Sequence, residues 1–338
     1  MFRRVRMIAT AVVLAVVYCD LALGQAPPPT ILVIDLENYV EYQADIYDAS
    51  KYGKNPNVTP SAGAGSFGVV TLLGDIVAVN GQPVKGLFAG RTRVLGATAT
   101  PNPGQAIADI GATAIREQIF EILQPNGTPI GTIIGLGFSG GPIPPGAPSG
   151  PAGGNWAIVG GTGAFLGARG QEGGWGGTQF AHPQAASMAE DPGNRRTHHQ
   201  GATFRYTLHV IPMFVPQIVT TANGPAVTHS SAFTPVSASK PAAAGEVLSL
   251  FATGLGPTSP GVDPGQPFLS SPPAAVNSPV EVKVNGKAAE VLAAVGFPGA
   301  VDGYQVNFRV PPDTPKGAAT IQVSAAWIAS APVSILVQ

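Results

Sequence analysis

Trp156-Ala157-Ile158-Val159-Gly160-Gly161-Thr162-Gly163-Ala164-Phe165-Leu166-Gly167-Ala168-Arg169-Gly170-Gln171 is the stretch that decides the fold. Two short apolar runs flank Gly160-Gly161-Thr162-Gly163, and both keep a two-residue period. Glycine adopts positive φ without a steric penalty, so the spacing predicts a β-hairpin that reverses on these glycines, with Ala157 and Val159 before the turn and Phe165 after it. A glycine-rich loop also raises phosphate binding. No Lys-Ser/Thr follows, however, and no helix-forming run begins after it, which argues against a nucleotide site.

The rest of the chain is equally rich in turns. Among 338 residues there are 44 Gly and 34 Pro, with 44% hydrophobic and only 11% charged residues. That hydrophobic content argues against general disorder, and the scarcity of long Leu/Glu/Lys-rich periodic segments argues against helices. The formal net charge is −1 and the 18 Lys+Arg are scattered singly, so no basic patch exists to hold nucleic acid. Arg3, Arg4 and Arg6 precede an apolar run from Met7 to Tyr18, followed by the small residues of Ala22-Leu23-Gly24. This pattern predicts a signal peptide over residues 1–24 and a secreted, extracellular or periplasmic mature chain. No later apolar run has the roughly 20 residues of a membrane-spanning helix, so stable membrane insertion is not expected. The only cysteine, Cys19, lies inside the leader, and the bulky Tyr18 before it does not fit a lipid-attachment site. The mature chain is left without disulfides or thiol chemistry.

Strands are predicted at Ile31–Glu37, Phe67–Val79, Gly86–Leu95, Thr113–Leu123, Pro129–Phe138, Trp156–Val159, Phe165–Glu172 and Ala202–Val210, with Asn126-Gly127 as a turn. Eight strands close a small antiparallel barrel. Two long insertions interrupt the pattern, Ser139–Gly154 and Thr178–Gln200, the second carrying three of the five histidines. Composition shifts between 212 and 241, a linker leading into a strand, and a second β domain follows over 242–338. Its strands are predicted at Glu246–Thr253, Val280–Val284, Ala288–Val295, Tyr304–Val310, Ala318–Ala325 and Pro332–Val337, with a type I′ turn at Asn285-Gly286. Short strands with frequent turns suggest an immunoglobulin-like sandwich, and each domain has apolar strands enough to fold alone.

The segment around Gly160-Gly161-Thr162-Gly163, with its aromatic Phe165 and its Ala168-Arg169-Gly170, resembles the signature of the dirigent and allene-oxide-cyclase-like barrel superfamily. The resemblance covers about residues 30–211 and implies an eight-stranded antiparallel barrel that takes a small apolar or phenolic molecule and steers its coupling or cyclisation without a cofactor. Leu255-Gly256-Pro257-Thr258, Val284-Asn285-Gly286 and Tyr304–Pro311 resemble IPT/TIG modules of secreted bacterial proteins, a family that implies a surface context and no chemistry of its own.

Asp75, in a Gly-Asp-aliphatic pattern similar to an early strand of the cyclase-like proteins, is a candidate lumen carboxylate; a turn aspartate after Gly74 is the alternative. Asp35 and Glu37 share a strand face and fall where that family places an acidic residue and an asparagine, Glu37 being a departure from it. If they converge with Asp75, one carboxyl would stay protonated and serve proton transfer. Arg91, Arg116 and Tyr206 are candidate ligand contacts, although periodicity alone leaves open which faces point inward and whether oligomer contacts through the barrel cover the exterior. Arg169 is expected to tie the hairpin to a carboxylate. His182, His198, His199 and His229 lack a ligand spacing, so no metal is expected, and no Gly-x-Ser-x-Gly elbow supports a hydrolase. The reading opposed to ligand binding is a structural or adhesion module of the cell surface.

Overall fold

A computed structural model of the chain describes residues 29–43, 69–94, 114–139, 146–148, 154–176 and 202–338. All regular structure among them is β. The leader, Cys19, His182, His198 and His199 lie outside the described residues.

Eight strands form the first unit: β1 (Thr30–Gln43), β2 (Val69–Val79), β3 (Lys85–Val94), β4 (Ala114–Leu123), β5 (Pro129–Ser139), β6 (Gly154–Gly163), β7 (Arg169–Gly176) and β8 (Ala202–Ile211). Each pairs antiparallel with the next, and β1 pairs with both β2 and β8, which closes an up-and-down barrel. Leu32, Ile34 and Leu36, Leu72 and Ile76, Phe120 and Ile122, and Phe204, Tyr206, Leu208 and Val210 alternate inward and fill the core. The strand alternation thus assigns the faces that periodicity had left open.

The hairpin reverses later than its glycines suggest. Gly160 to Gly163 continue β6 and pair with Gly131 to Ile134 of β5, while the turn proper is Ala164 to Gly167. Phe165 is therefore a turn residue, not the start of a strand, and it is 1% exposed. The physical reason is the return of Phe165 over Gly161: a Cβ there would stand 2.6 Å from the Thr132 carbonyl oxygen and 3.0 Å from the Phe165 Cβ. Gly163 sits at φ 61°, in the region that favours glycine.

The connections at the two ends of the barrel differ. At one end Asn80-Gly81, both at positive φ, make a tight turn, and residues 124–128 and 164–168 complete short links. At the other end leave the four longer connections, 44–68, 95–113, 140–153 and 177–201.

The second unit is a curled sheet built from β9 (Val227–His229), β10 (Val247–Thr253), β11 (Val280–Val284), β12 (Lys287–Gly296), β13 (Gly303–Arg309), β14 (Gly317–Ala325), β15 (Ile328–Ala329) and β16 (Val333–Val337). The order is β9-β10-β13-β12-β11-β14-β15, with β16 also on β14. Asn285 and Gly286, at φ 51° and 78°, form the expected turn between β11 and β12. Part of the 212–241 segment belongs to this unit, since Gln217–Ile218 pairs with β10 and Ile218, Val227 and Val236 enter its core.

The second unit seals the short-link end of the barrel. Ala326 of the β14–β15 turn and Ile328 just after it are buried in the barrel's own core, and Trp327 packs against that core with its indole Nε1 donating to Gln82 Oε1 at 2.8 Å. The Gln124 side chain also donates to the Asn277 carbonyl across the junction.

Two outcomes follow for stability. Gly161→Val overpacks the hairpin by about 3 kcal/mol and lowers the melting temperature by roughly 6–12 °C; an unchanged melting temperature would contradict the Phe165 contact. Ile328→Ala, made in the second unit, lowers the stability of the barrel by about 2–4 kcal/mol when unfolding is followed at Trp156. If the barrel transition stays in place, the seal contributes nothing to it.

Candidate functional site

The buried polar side chains of the barrel, Thr92, Gln118 and Glu172, lie on β3, β4 and β7. Gln118 and Glu172, 0% and 1% exposed, are the largest polar side chains buried among the described residues. Gln118 Nε2 donates to Glu172 Oε1 at 2.7 Å. Gly135 of β5 lies opposite Gln118 in the register, and a methyl group there would overlap the Glu172 carboxyl, so the missing side chain is what lets the carboxyl reach Gln118. Glu172 Oε2 and Gln118 Oε1 are buried without a hydrogen-bond partner.

An aromatic cluster stands beside this pair. Tyr206 is central, with ring centroids 4.9 Å from Phe88, 5.0 Å from Phe120 and 4.8 Å from Phe204, and Tyr39 stacks on Phe204 at 4.6 Å. Toward the end where the long connections leave, Arg116 donates from Nε to Thr92 Oγ1 at 2.9 Å and places its guanidinium carbon 4.8 Å from the centre of the Trp156 ring. Such a cation over an indole face is favourable and directional.

Burial dominates the electrostatics. It pushes the Glu172 carboxyl up from 4.5 to about 8, against the opposing pull of the Gln118 hydrogen bond and the Arg116 charge. At neutral pH the acid therefore keeps its proton. Because Oε1 already accepts from Gln118, the proton belongs on Oε2, where it is a donor with nothing to donate to. Burial, and after it the neighbouring Tyr39, also raise the Tyr206 hydroxyl well above its usual range, so that group stays neutral as well. The arrangement can give a hydrogen bond or a proton to an oxygen that arrives from the aromatic side, and Gln118 Oε1 can accept one.

The residues singled out in the sequence divide between the two faces of the wall. Arg116 and Tyr206 face the lumen at this cluster. Arg91 does not; it is on the outer face, paired across the strands with Glu117 at 2.8 Å. The carboxylates do not converge in the lumen either. Asp75 lies on the face of β2 opposite Gly74 and Ile76 and accepts from Asn38 Nδ2 at 2.9 Å. Asn38, at φ 48°, is the extra residue of a bulge in β1, which is why Leu36 and Tyr39 both point inward although they are three apart. Asp35 pairs with Arg205, its neighbour in register on β8, and Glu37 is exposed. Arg169 donates to the backbone carbonyl of Ala168 at 2.9 Å, and among the described residues it pairs with no carboxylate. His229 binds Glu246 Oε1 through Nδ1 at 2.6 Å inside the second unit.

Sequence reasoning gave no role to Gln118, which shares a strand face with Arg116, and it missed Glu172. The usable signal was a polar residue on the same strand face as Phe120 and Ile122 in β4, and a carboxylate among the glycines of β7.

The raised Glu172 value fixes a pH dependence. Between pH 4.5 and about 8 the folded chain holds a proton that the unfolded chain has released, so this contribution to stability is full at low pH and is lost as the pH rises to about 8, at about 1.4 kcal/mol per pH unit. Glu172→Gln, which mimics the neutral acid, should flatten the fall in melting temperature between pH 5 and pH 8; an identical slope in both proteins would place the proton elsewhere. No protein-family model, curated protein or solved structure matches the chain, so the site stands on its own geometry.

Proposed function

We propose that the barrel binds a small apolar or phenolic molecule at the Glu172–Gln118 pair, entering from the end where the long connections leave. The observation that carries this reading is the neutral, buried Glu172 with an unpartnered Oε2. A buried polar atom left unpaired costs about 1–3 kcal/mol, a cost that a ligand oxygen would remove. Rings of Tyr206, Phe204, Tyr39 and Trp156 offer faces and edges to an aromatic or unsaturated ligand. Ala326 and Ile328 cover the opposite end, which favours a single way in. Held by Oε2–H, the ligand oxygen is fixed in one orientation, and that is the requirement for coupling or ring closure without a cofactor, as the likeness to dirigent and allene-oxide-cyclase-like barrels implies. The basic and apolar leader fits a secreted protein, and an immunoglobulin-like reading of the curled sheet fits a second unit that serves as support.

The test uses 1-tetralone, an aromatic ketone that does not ionise, titrated against the full chain with Trp156 emission and calorimetry as readouts. Native protein should bind it saturably at pH 6.5 and about tenfold more weakly at pH 9.5, where the donor is lost, a factor equal to about one hydrogen bond. Glu172→Gln keeps a donor and should bind with little pH dependence; Glu172→Leu should bind at least tenfold more weakly at pH 6.5. Absence of saturable binding, or binding indifferent to both substitutions and to pH, would overturn the proposal.

A further inference from the structure

We infer a second binding site, for a neutral saccharide, in the cleft where the barrel meets the second unit. It lies at the sealed end, away from Glu172, and has a volume of about 280 Å³. Three walls form it. Glu281 and Lys283 of β11 stand beside their register partners Ser324 and Gln322 of β14, with Val282, Val284, Ile321 and Val323 turned the other way into the core, so the floor is a square of polar side chains on a rigid sheet. Trp327 rises from the following turn as one side. Asn80 and Gln82, from the tight turn after β2, close the other.

The chemistry of the walls selects the ligand. Glu281 and Lys283 are 3.5 Å apart and cancel in charge, so the cleft favours neither an anion nor a cation. Asn80 is spent on the barrel, its side chain accepting from Val33 N and donating to the Ile31 carbonyl. Gln82 uses its oxygen for the Trp327 indole and Gln322 uses its amide nitrogen for the Ser330 carbonyl. What is left facing the cleft is the Gln82 amide nitrogen, the Gln322 amide oxygen, the Ser324 hydroxyl and the outer atoms of the ion pair. Donors and acceptors are mixed around one indole. A lipid or an apolar ligand would leave these groups unpaired, and a phosphate would meet the Glu281 carboxylate. A pyranose fits both requirements, having hydroxyls that donate and accept around its rim and a C–H face for an indole.

Because the walls come from both units, an occupant would hold the second unit against the barrel. Trp327 and Gln82, already hydrogen-bonded at 2.8 Å across the junction, are the contact that a sugar would extend.

Calorimetric titration of the full chain with glucose, galactose, N-acetylglucosamine and cellobiose tests this, with glucuronate and glucosamine as charged controls. At least one neutral sugar should saturate with a dissociation constant below about 10 mM, the weak end of specific recognition. Lys283→Ala and Ser324→Ala, both on the solvent side of the sheet, should each weaken it about tenfold without a change in melting temperature. Glu172→Gln should leave it unaltered, which separates this site from the barrel lumen. The inference is overturned if no neutral sugar saturates, if a charged control binds more tightly than its neutral parent, or if affinity survives both cleft substitutions.

Discussion

Closure sets the terms for everything inside the barrel. Once β1 pairs with both β2 and β8, every second residue of eight strands must share one narrow lumen, and at several positions a neighbour gives up its side chain to admit a larger one. Gly174 makes room for the rings of Phe204 and Tyr206, and Gly90 for Leu72. Gly135 belongs to the same series, but what it admits is a carboxyl and not a ring. The site is thus made by the rule that fills the rest of the core, applied once to a polar group.

The outer wall spends its charges differently. Asp35 with Arg205 and Arg91 with Glu117 are cross-strand pairs in which one partner is largely exposed, and such pairs contribute little beyond register. Asp75 has the more specific task of holding Asn38 in the bulge of β1. That bulge turns Tyr39 inward onto Phe204, so an outer carboxylate shapes the lumen without entering it.

How far the sequence could be read depended on side-chain alternation. Strands rich in Val, Ile, Leu and Phe, such as β2, β4 and β8, declare both their extent and their turns, and Asn285-Gly286 does so through its backbone preference. Glycine removes that signal. Gly160 to Gly163 look like a reversal because glycine suits one, yet they are strand residues, and it is Gly161 that the returning Phe165 keeps bare. β7 reads Arg-Gly-Gln-Glu-Gly-Gly-Trp-Gly, with too few side chains to show a phase, so the inward direction of Glu172 becomes visible only when β6 and β8 are placed beside it. Asp75, on a strand of clear phase, drew attention instead. Its alternation with Leu72, Gly74 and Ile76 in fact already assigned it to the outer face once those residues are buried.

The remaining question is why Glu172 stays neutral with an arginine nearby. An Arg⁺–carboxylate contact in the lumen would have to repay the desolvation of two charges, which it does only with excellent geometry and every remaining donor satisfied. The structure avoids the contact. Arg116 is committed to Thr92 through Nε and to the face of Trp156, nearer the strand ends, while Glu172 takes its hydrogen bond from the uncharged Gln118. Arg116 therefore lowers the Glu172 value at a distance but less than burial raises it. Moving the guanidinium inward would ionise the acid and replace a donor with an acceptor. Holding it at the rim keeps a single transferable proton in an aromatic lumen, beside an oxygen of Gln118 that is also unpaired. For stability alone, an apolar pair of the same shape would serve as well or better; the unpartnered Oε2 of the neutral acid is the atom that the proposed ligand would meet.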